Sequence, residues 1–113
     1  MFVIATTPTF TVPVRVDIIG DNNKTKTSIF KAKFLRLEQN EMDEMRDAIN
    51  DKTMTDQQVV DKVLVGWEDV TDAAGQPVEF TPDNLTALLA IFPTRHSIVR
   101  TYFDTVSGSK RKN

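Results

Sequence analysis

The side chains able to do chemistry are few. The single histidine, His96, lies in the run Pro93-Thr94-Arg95-His96. Catalysis by a lone imidazole needs an orienting carboxylate and a nucleophile. No motif supplies either, so His96 reads as a solvent-facing or helix-terminal residue. Cysteine is absent, which removes thiolate nucleophiles, thiolate metal sites and disulfides together. Carboxylates gather at Glu41, Asp43, Glu44 and Asp47, but without the spacing or central glycine of a calcium loop. They read as a solvated acidic helix face. The glycines at 20, 66, 75 and 108 are isolated, so no phosphate-cradling loop exists. No catalytic residue, metal site or cofactor site is expected, and the chain reads as a non-enzyme.

The composition agrees. At 113 residues, 40% apolar and 27% charged, the values are those of a globular protein with one domain's worth of sequence. That domain is expected over residues 1–107, with a hairpin at about 10–37, a helical part at about 40–107 and a disordered basic tail at 108–113. No apolar run approaches the roughly 18 residues of a membrane span. The opening MFVIATTPTFTVPV lacks the basic then apolar regions of a signal peptide. A soluble protein of a reducing cytoplasm follows from these features.

Charge is unevenly spread. Residues 1–37 carry six Lys/Arg against two Asp/Glu, residues 38–72 three against eleven, and residues 73–113 five against three. An acidic middle between basic ends invites pairing within the fold or between subunits, but the favoured reading is simply solvated faces. The tail and Lys24, Lys26, Lys31 and Lys33 are locally basic, but a pI of about 5.3 argues against a nucleic-acid footprint.

The elements that must position these residues are legible in the apolar spacing. Phe10, Val12, Val14, Val16 and Ile18 alternate with wet residues, a strand with one buried face. Pro13 cannot donate to a ladder and marks this as an edge strand. Turn residues at Gly20–Lys24 lead into a second strand over Lys26–Leu37. Its apolar phase flips after Phe34 to Leu35 and Leu37, which predicts a bulge or burial on both faces. Asn40 is the expected cap of a helix whose apolar stripe is Met42, Met45, Ala48 and Ile49. Thr55 and Gln58 form a capping box before Val59, Val60, Val63, Leu64 and Trp67, predicting a helix that ends near Trp67, with Gly66 as its terminator. Trp67 itself reads as a core-capping indole. A small hairpin or pair of extended arms is expected through Gly75. Thr81-Pro82 then starts a helix carrying Leu85, Leu88, Leu89 and Phe92. After Pro93, Thr94 is the expected cap of a last helix bearing Ile98, Val99, Tyr102, Phe103 and Val106, with Gly108 as its stop. The class is α+β: an N-terminal antiparallel β-hairpin, then about four helices with a short extended excursion near 68–80.

Within this plan one stretch is distinctive. Gly66-Trp67-Glu68-Asp69-Val70 is followed by Asp72, Gly75-Gln76-Pro77-Val78, Phe80-Thr81-Pro82, Asn84-Leu85 and Leu88-Leu89, and later by Tyr102-Phe103. The stretch resembles the tail assembly chaperones of long-tailed bacteriophages, and the likeness covers roughly residues 60–107. Gly66, Trp67, Gly75, Pro77, Phe80, Thr81, Pro82, Leu85, Leu88 and Leu89 are its structural motif. Pro93-Thr94-Arg95-His96 departs from the smaller, more apolar junction expected between the last helices.

The resemblance implies a non-enzymatic role. Such chaperones bind the tape-measure protein, keep it soluble, and help tail-tube subunits assemble around it. It also implies action in the cytoplasm of the bacterial host, absence from the mature virion, and a longer frameshifted version in many relatives. Two alternatives stand beside it: a small structural protein retained in the virion, such as a connector or tail-completion factor, and a regulatory module whose basic hairpin binds nucleic acid. A holdase needs exposable apolar surface, and self-association needs complementary faces. Met42, Met45 and Ile49 are one set of partner-binding residues, since methionine adapts to irregular surfaces. Leu35 and Leu37, out of phase with their strand, are the other. The competing reading of both sets is ordinary core. Replacing Met42 and Met45 by Asp is expected to weaken partner binding and spare the fold.

Overall fold

A computed structural model describes residues 1–4 and 6–108. Strand β1 (Thr9–Ile19) and strand β2 (Thr25–Leu35) pair antiparallel over their whole length, from Thr9 opposite Leu35 to Ile19 opposite Thr25. The hairpin closes through a single turn of 3₁₀ helix, where Asn22 and Asn23 both adopt φ of 60°. Asparagine tolerates that left-handed region better than most residues, which explains the composition of the turn. Across the ladder the Thr27 hydroxyl donates to the Asp17 carboxylate at 2.7 Å. That bond, then Arg15 at 3.1 Å, holds the Asp17 carboxyl below its ordinary range.

Four helices follow: α1 (Gln39–Asn50), α2 (Asp56–Val63), α3 (Pro82–Leu89) and α4 (Thr94–Ser107). A third strand, β3 (Leu64–Glu68), pairs antiparallel with β2, giving the order β1-β2-β3. Pro13 therefore does lie on an edge strand, where its missing N–H breaks no ladder.

β3 is the main departure from the expected plan. The helix predicted to run to Trp67 stops at Val63, and Leu64 turns directly into extended backbone. Two causes act together. Val63, Val65 and Trp67 are strand formers on alternate positions, and β2 offers a free edge whose N–H and C=O groups need partners. Gly66 is consequently a strand residue opposite Lys33, not a helix stop. The register slips between Lys33 and Phe34, which face Gly66 and Leu64, so Val65 is the extra residue. The irregularity expected near Phe34 is present, with its surplus residue on β3.

Helix starts depend on local bonds and were easier to place. Thr55 Oγ1 accepts from the Gln58 N–H, and the Gln58 side chain accepts from the Thr55 N–H at 2.8 Å. Thr81 Oγ1 caps α3 by accepting from the Asn84 N–H at 3.2 Å, with Pro82 in the first turn. Gly108 ends α4 at φ 77°. Two starts differ from expectation. α1 begins at Gln39, because the Glu41 carboxylate accepts from the Glu38 N–H at 3.1 Å and Glu38 takes the capping position proposed for Asn40. α4 is capped at Pro93, with Thr94 its first residue.

The helices cover one face of the sheet. Its inward residues Val14, Val16, Phe30, Ala32 and Phe34 join Met45, Val59, Val60, Val63, Leu64, Ile98, Val99 and Tyr102 in one buried core. α3 buries none of its residues fully; Leu85, Leu88 and Leu89 pack half-buried at the margin. The opposite sheet face, bearing Lys31 and Lys33, is open to solvent, as an antiparallel sheet permits.

Candidate functional site

The motif around Trp67 folds into one hydrogen-bonded unit. Trp67 Nε1 donates to the Val78 carbonyl at 2.7 Å, and the indole meets the Phe80 ring edge-on at 4.9 Å. Asp72 organises the turn between them: its carboxylate accepts from the N–H groups of Ala74 and Gln76 at 2.9 and 3.0 Å. Gly75 takes φ of 80° there, and Thr71 bridges Pro77. The excursion expected over 68–80 is thus a short, tightly closed hairpin. The Asp72 carboxylate and the Trp67 indole both bond the unit's own backbone, so these two side chains shape the fold.

A concave surface lies elsewhere, where β1 begins and β2 ends. There Phe10, the Arg36-Leu37 corner, the first turns of α1 and the last turns of α4 enclose a groove of about 510 Å³. Phe10, Leu37, Met42, Tyr102 and Val106 form its apolar lining, and Arg36, Gln39, Arg46 and Thr105 its polar part. Three rings anchor the site: Tyr102 meets Phe34 edge-on at 5.1 Å and stacks on Phe10 at 6.2 Å. The Arg36 guanidinium covers the Phe10 ring at 5.1 Å, a cation–π contact. Its Nε donates to the Thr7 carbonyl at 2.9 Å, and its backbone N–H to the Pro8 carbonyl at 2.9 Å.

Tyr102 is the unusual member. It is 0% exposed, and its hydroxyl has no hydrogen-bond partner among the described residues. Burial, and then the Glu41 carboxylate nearby, push the phenol up to about 12. The ring therefore stays neutral across the physiological range, and its O–H remains available as a donor.

Of the five residues proposed for partner contact, the groove brings together Leu37, in the connection between β2 and α1, and Met42 of α1. Met45 is 2% exposed and belongs to the core, so α1 offers Met42 and not Met45 to the surface. Asp at position 45 cannot spare the fold, for it would place a charge in that core. Leu35 is half-buried on the open sheet face opposite Thr9, and Ile49 is half-buried near the end of α1. Phe10, Arg36, Tyr102 and Val106 were not foreseen as site residues. Each read as an ordinary strand or helix position, and only the meeting of four segments gives them a shared surface.

Other features are quickly placed. His96 is exposed, as expected. Among the described residues no group of three or more His, Cys, Asp or Glu could hold a metal ion, and no helix is long and apolar enough to cross a membrane. Large apolar side chains are also exposed at Met1–Ile4, on the sheet at Ile19, Ile29 and Val65, and at Ile91-Phe92 before α4, where Phe92, expected on the buried face of α3, is 84% exposed. The basic tail expected at 108–113 lies outside the described residues beyond Gly108.

No curated protein and no solved structure matches the chain. A family model described as phage tail assembly chaperone matches residues 1–113, the whole sequence. The match extends the likeness seen around Trp67 to the hairpin and the acidic helix. On this full-length match, the chain belongs to the phage tail assembly chaperone family.

Proposed function

We propose that this chaperone acts on the tape-measure protein, holding its apolar segments in the groove between α1, α4 and the open end of the hairpin. One observation carries the reading: Phe10 of β1, Leu37 of the β2–α1 connection, Met42 of α1 and Val106 of α4 line a single concavity. Such a surface suits a client that is apolar and irregular, because methionine and leucine adapt to varied side chains. Arg36, Arg46 and Gln39 supply donors for the client's backbone carbonyls or carboxylates. Release of the client to tail-tube subunits needs only weak, reversible contacts, which a shallow groove provides. The chaperone acts in the host cytoplasm and leaves before the virion is complete.

The test is co-expression with the tape-measure protein of the same phage. Leu37→Asp combined with Met42→Asp should move the tape-measure protein into the insoluble fraction, while the variant keeps its helical circular dichroism. A client that stays soluble with this variant would remove the groove from the mechanism. Mass spectrometry of purified virions checks the rest: the chain should be absent, and its presence would favour a retained connector or completion factor.

A further inference from the structure

We infer that a second docking site lies on the edge of β2, and that it takes an extended segment of another protein, laid end to end with β3. β2 is 11 residues long, but β3 pairs with it only from Phe34 back to Lys31. At Asp69, where φ is 66°, the chain leaves the sheet. The rest of that edge, residues 25–30, faces no strand among the described residues.

The phase of the hairpin ladder shows which groups are free. The Gly20 N–H donates to the Lys24 carbonyl at 2.7 Å, and the Arg36 N–H to the Pro8 carbonyl at 2.9 Å. Bonded positions alternate along an antiparallel pair. Even-numbered residues of β2 therefore bond to β1, and odd-numbered residues turn their N–H and C=O to the other side. There Lys31 and Lys33 meet Glu68 and Gly66 of β3. Thr25, Thr27 and Ile29 have no backbone partner on that side among the described residues. Such a row of unpaired groups is a template for a further strand. The outer edge of β1 is not equivalent, because Pro13 interrupts it.

Two further features define the occupant. Beside the free edge lies a cavity of about 200 Å³ whose apolar walls include Ile18, Ile29, Val70, Leu88 and Ile91. Successive side chains of a strand point to opposite faces, so the occupant presents an apolar residue to this cavity at every second position. Charge sets its direction. Glu68 and Asp69 outnumber Lys31 at one end of the edge, and Lys24 and Lys26 outnumber Asp21 at the other. None of these six is in an ion pair among the described residues. A segment running in the direction of β3, with a cation at its start and a carboxylate at its end, complements both ends. Only a polypeptide brings regularly spaced N–H and C=O groups together with such side chains. Nucleic acid or an apolar small molecule would leave the edge unpaired.

The site is separate from the groove between α1 and α4, so its test is independent of any client held there. The probe is a fluorescent hexapeptide of one lysine, two valine–threonine pairs and one aspartate, in that order. It should bind, and NMR hydrogen exchange should show the Thr27 and Ile29 amides open in the free protein and protected in the complex. N-methylation of one alternate set of peptide amides should weaken binding about tenfold or more, and of the other set far less. Ile29→Pro deletes an edge donor without touching the β1 ladder, and Ile91→Asp puts a charge on the cavity wall; each should lose the peptide. Failure of the peptide to bind, equal effects of the two methylation patterns, or protection at the α1–α4 groove instead would overturn the inference. Protection of both amides without peptide, fading on dilution, would also overturn it by making a second copy the occupant.

Discussion

Tyr102 concentrates the residue-scale physics. A phenol buried without a partner forfeits the hydrogen bonds it had in water, a cost of about 1–3 kcal/mol. Tyr102→Phe removes that cost while keeping the ring contacts with Phe34 and Phe10. The variant should therefore be as stable as the parent or up to about 1 kcal/mol more so, measured by urea unfolding. Because this is the only tyrosine, its ionisation can be followed by phenolate absorbance. The midpoint should fall near 12 in the folded protein, against 10.0 for the ordinary group. The sign follows from the raised value: the neutral phenol favours the fold, so its contribution is complete below pH 10.0 and is lost as pH rises towards about 12. A midpoint near 10 under native conditions would show that the ring is not buried.

At the scale of elements, the motif's glycines do different work. Gly75 holds φ of 80° at the tip of the Asp72 turn, with open space where a Cβ would stand. Gly75→Ala should cost about 1 kcal/mol from backbone strain alone. Gly66 lies in β3, where a Cβ would stand 3.4 Å from the flexible Lys33 side chain. Gly66→Ala should change stability by less than about 0.5 kcal/mol, since strand glycines gain by acquiring a side chain. Both values can be read from chemical unfolding monitored by Trp67 fluorescence, and equal costs would contradict the distinction. Elements whose limits rest on local bonds were legible: Thr55 with Gln58, Thr81 with Pro82, and Gly108. β3 was not. Its residues fit a helical spacing as well as a strand, and the decision rests with the unpaired edge of β2, more than 30 positions earlier in the chain by the Lys31–Glu68 pairing.

For the whole molecule, the question is which face of each apolar stripe the core consumes. Met42 and Met45 look alike along α1, yet one borders the groove and the other is 2% exposed. Met45→Asp buries a charge with no partner and should cost more than about 3 kcal/mol, enough to abolish cooperative unfolding. Met42→Asp should cost less than about 1 kcal/mol. Similar losses for both would place Met42 in the core and close the groove as a binding surface. Charge follows the favoured reading of solvated faces and not that of internal pairing. Among the described residues the ion pairs are Arg15–Asp17 and Arg100–Asp104, and each lies within one block of sequence. The acidic α1–α2 region and the basic hairpin are not joined across the fold, so both remain as solvated surfaces.

Taken by itself, the sequence determined the α+β class, the hairpin with Pro13 on its edge, the capped starts of α2 and α3, the stop at Gly108 and the family. The structural ones rest on neighbours within a few residues, through alternation, caps and turn chemistry, and the family on the ordered motif around Trp67. Tertiary structure alone decided that Leu64–Glu68 is a strand, that Met45 is core and Met42 surface, and that Phe10, Leu37, Met42 and Tyr102 share one groove. Those outcomes depend on which distant segments meet. Local periodicity carries no record of a partner edge or of the side on which four segments close.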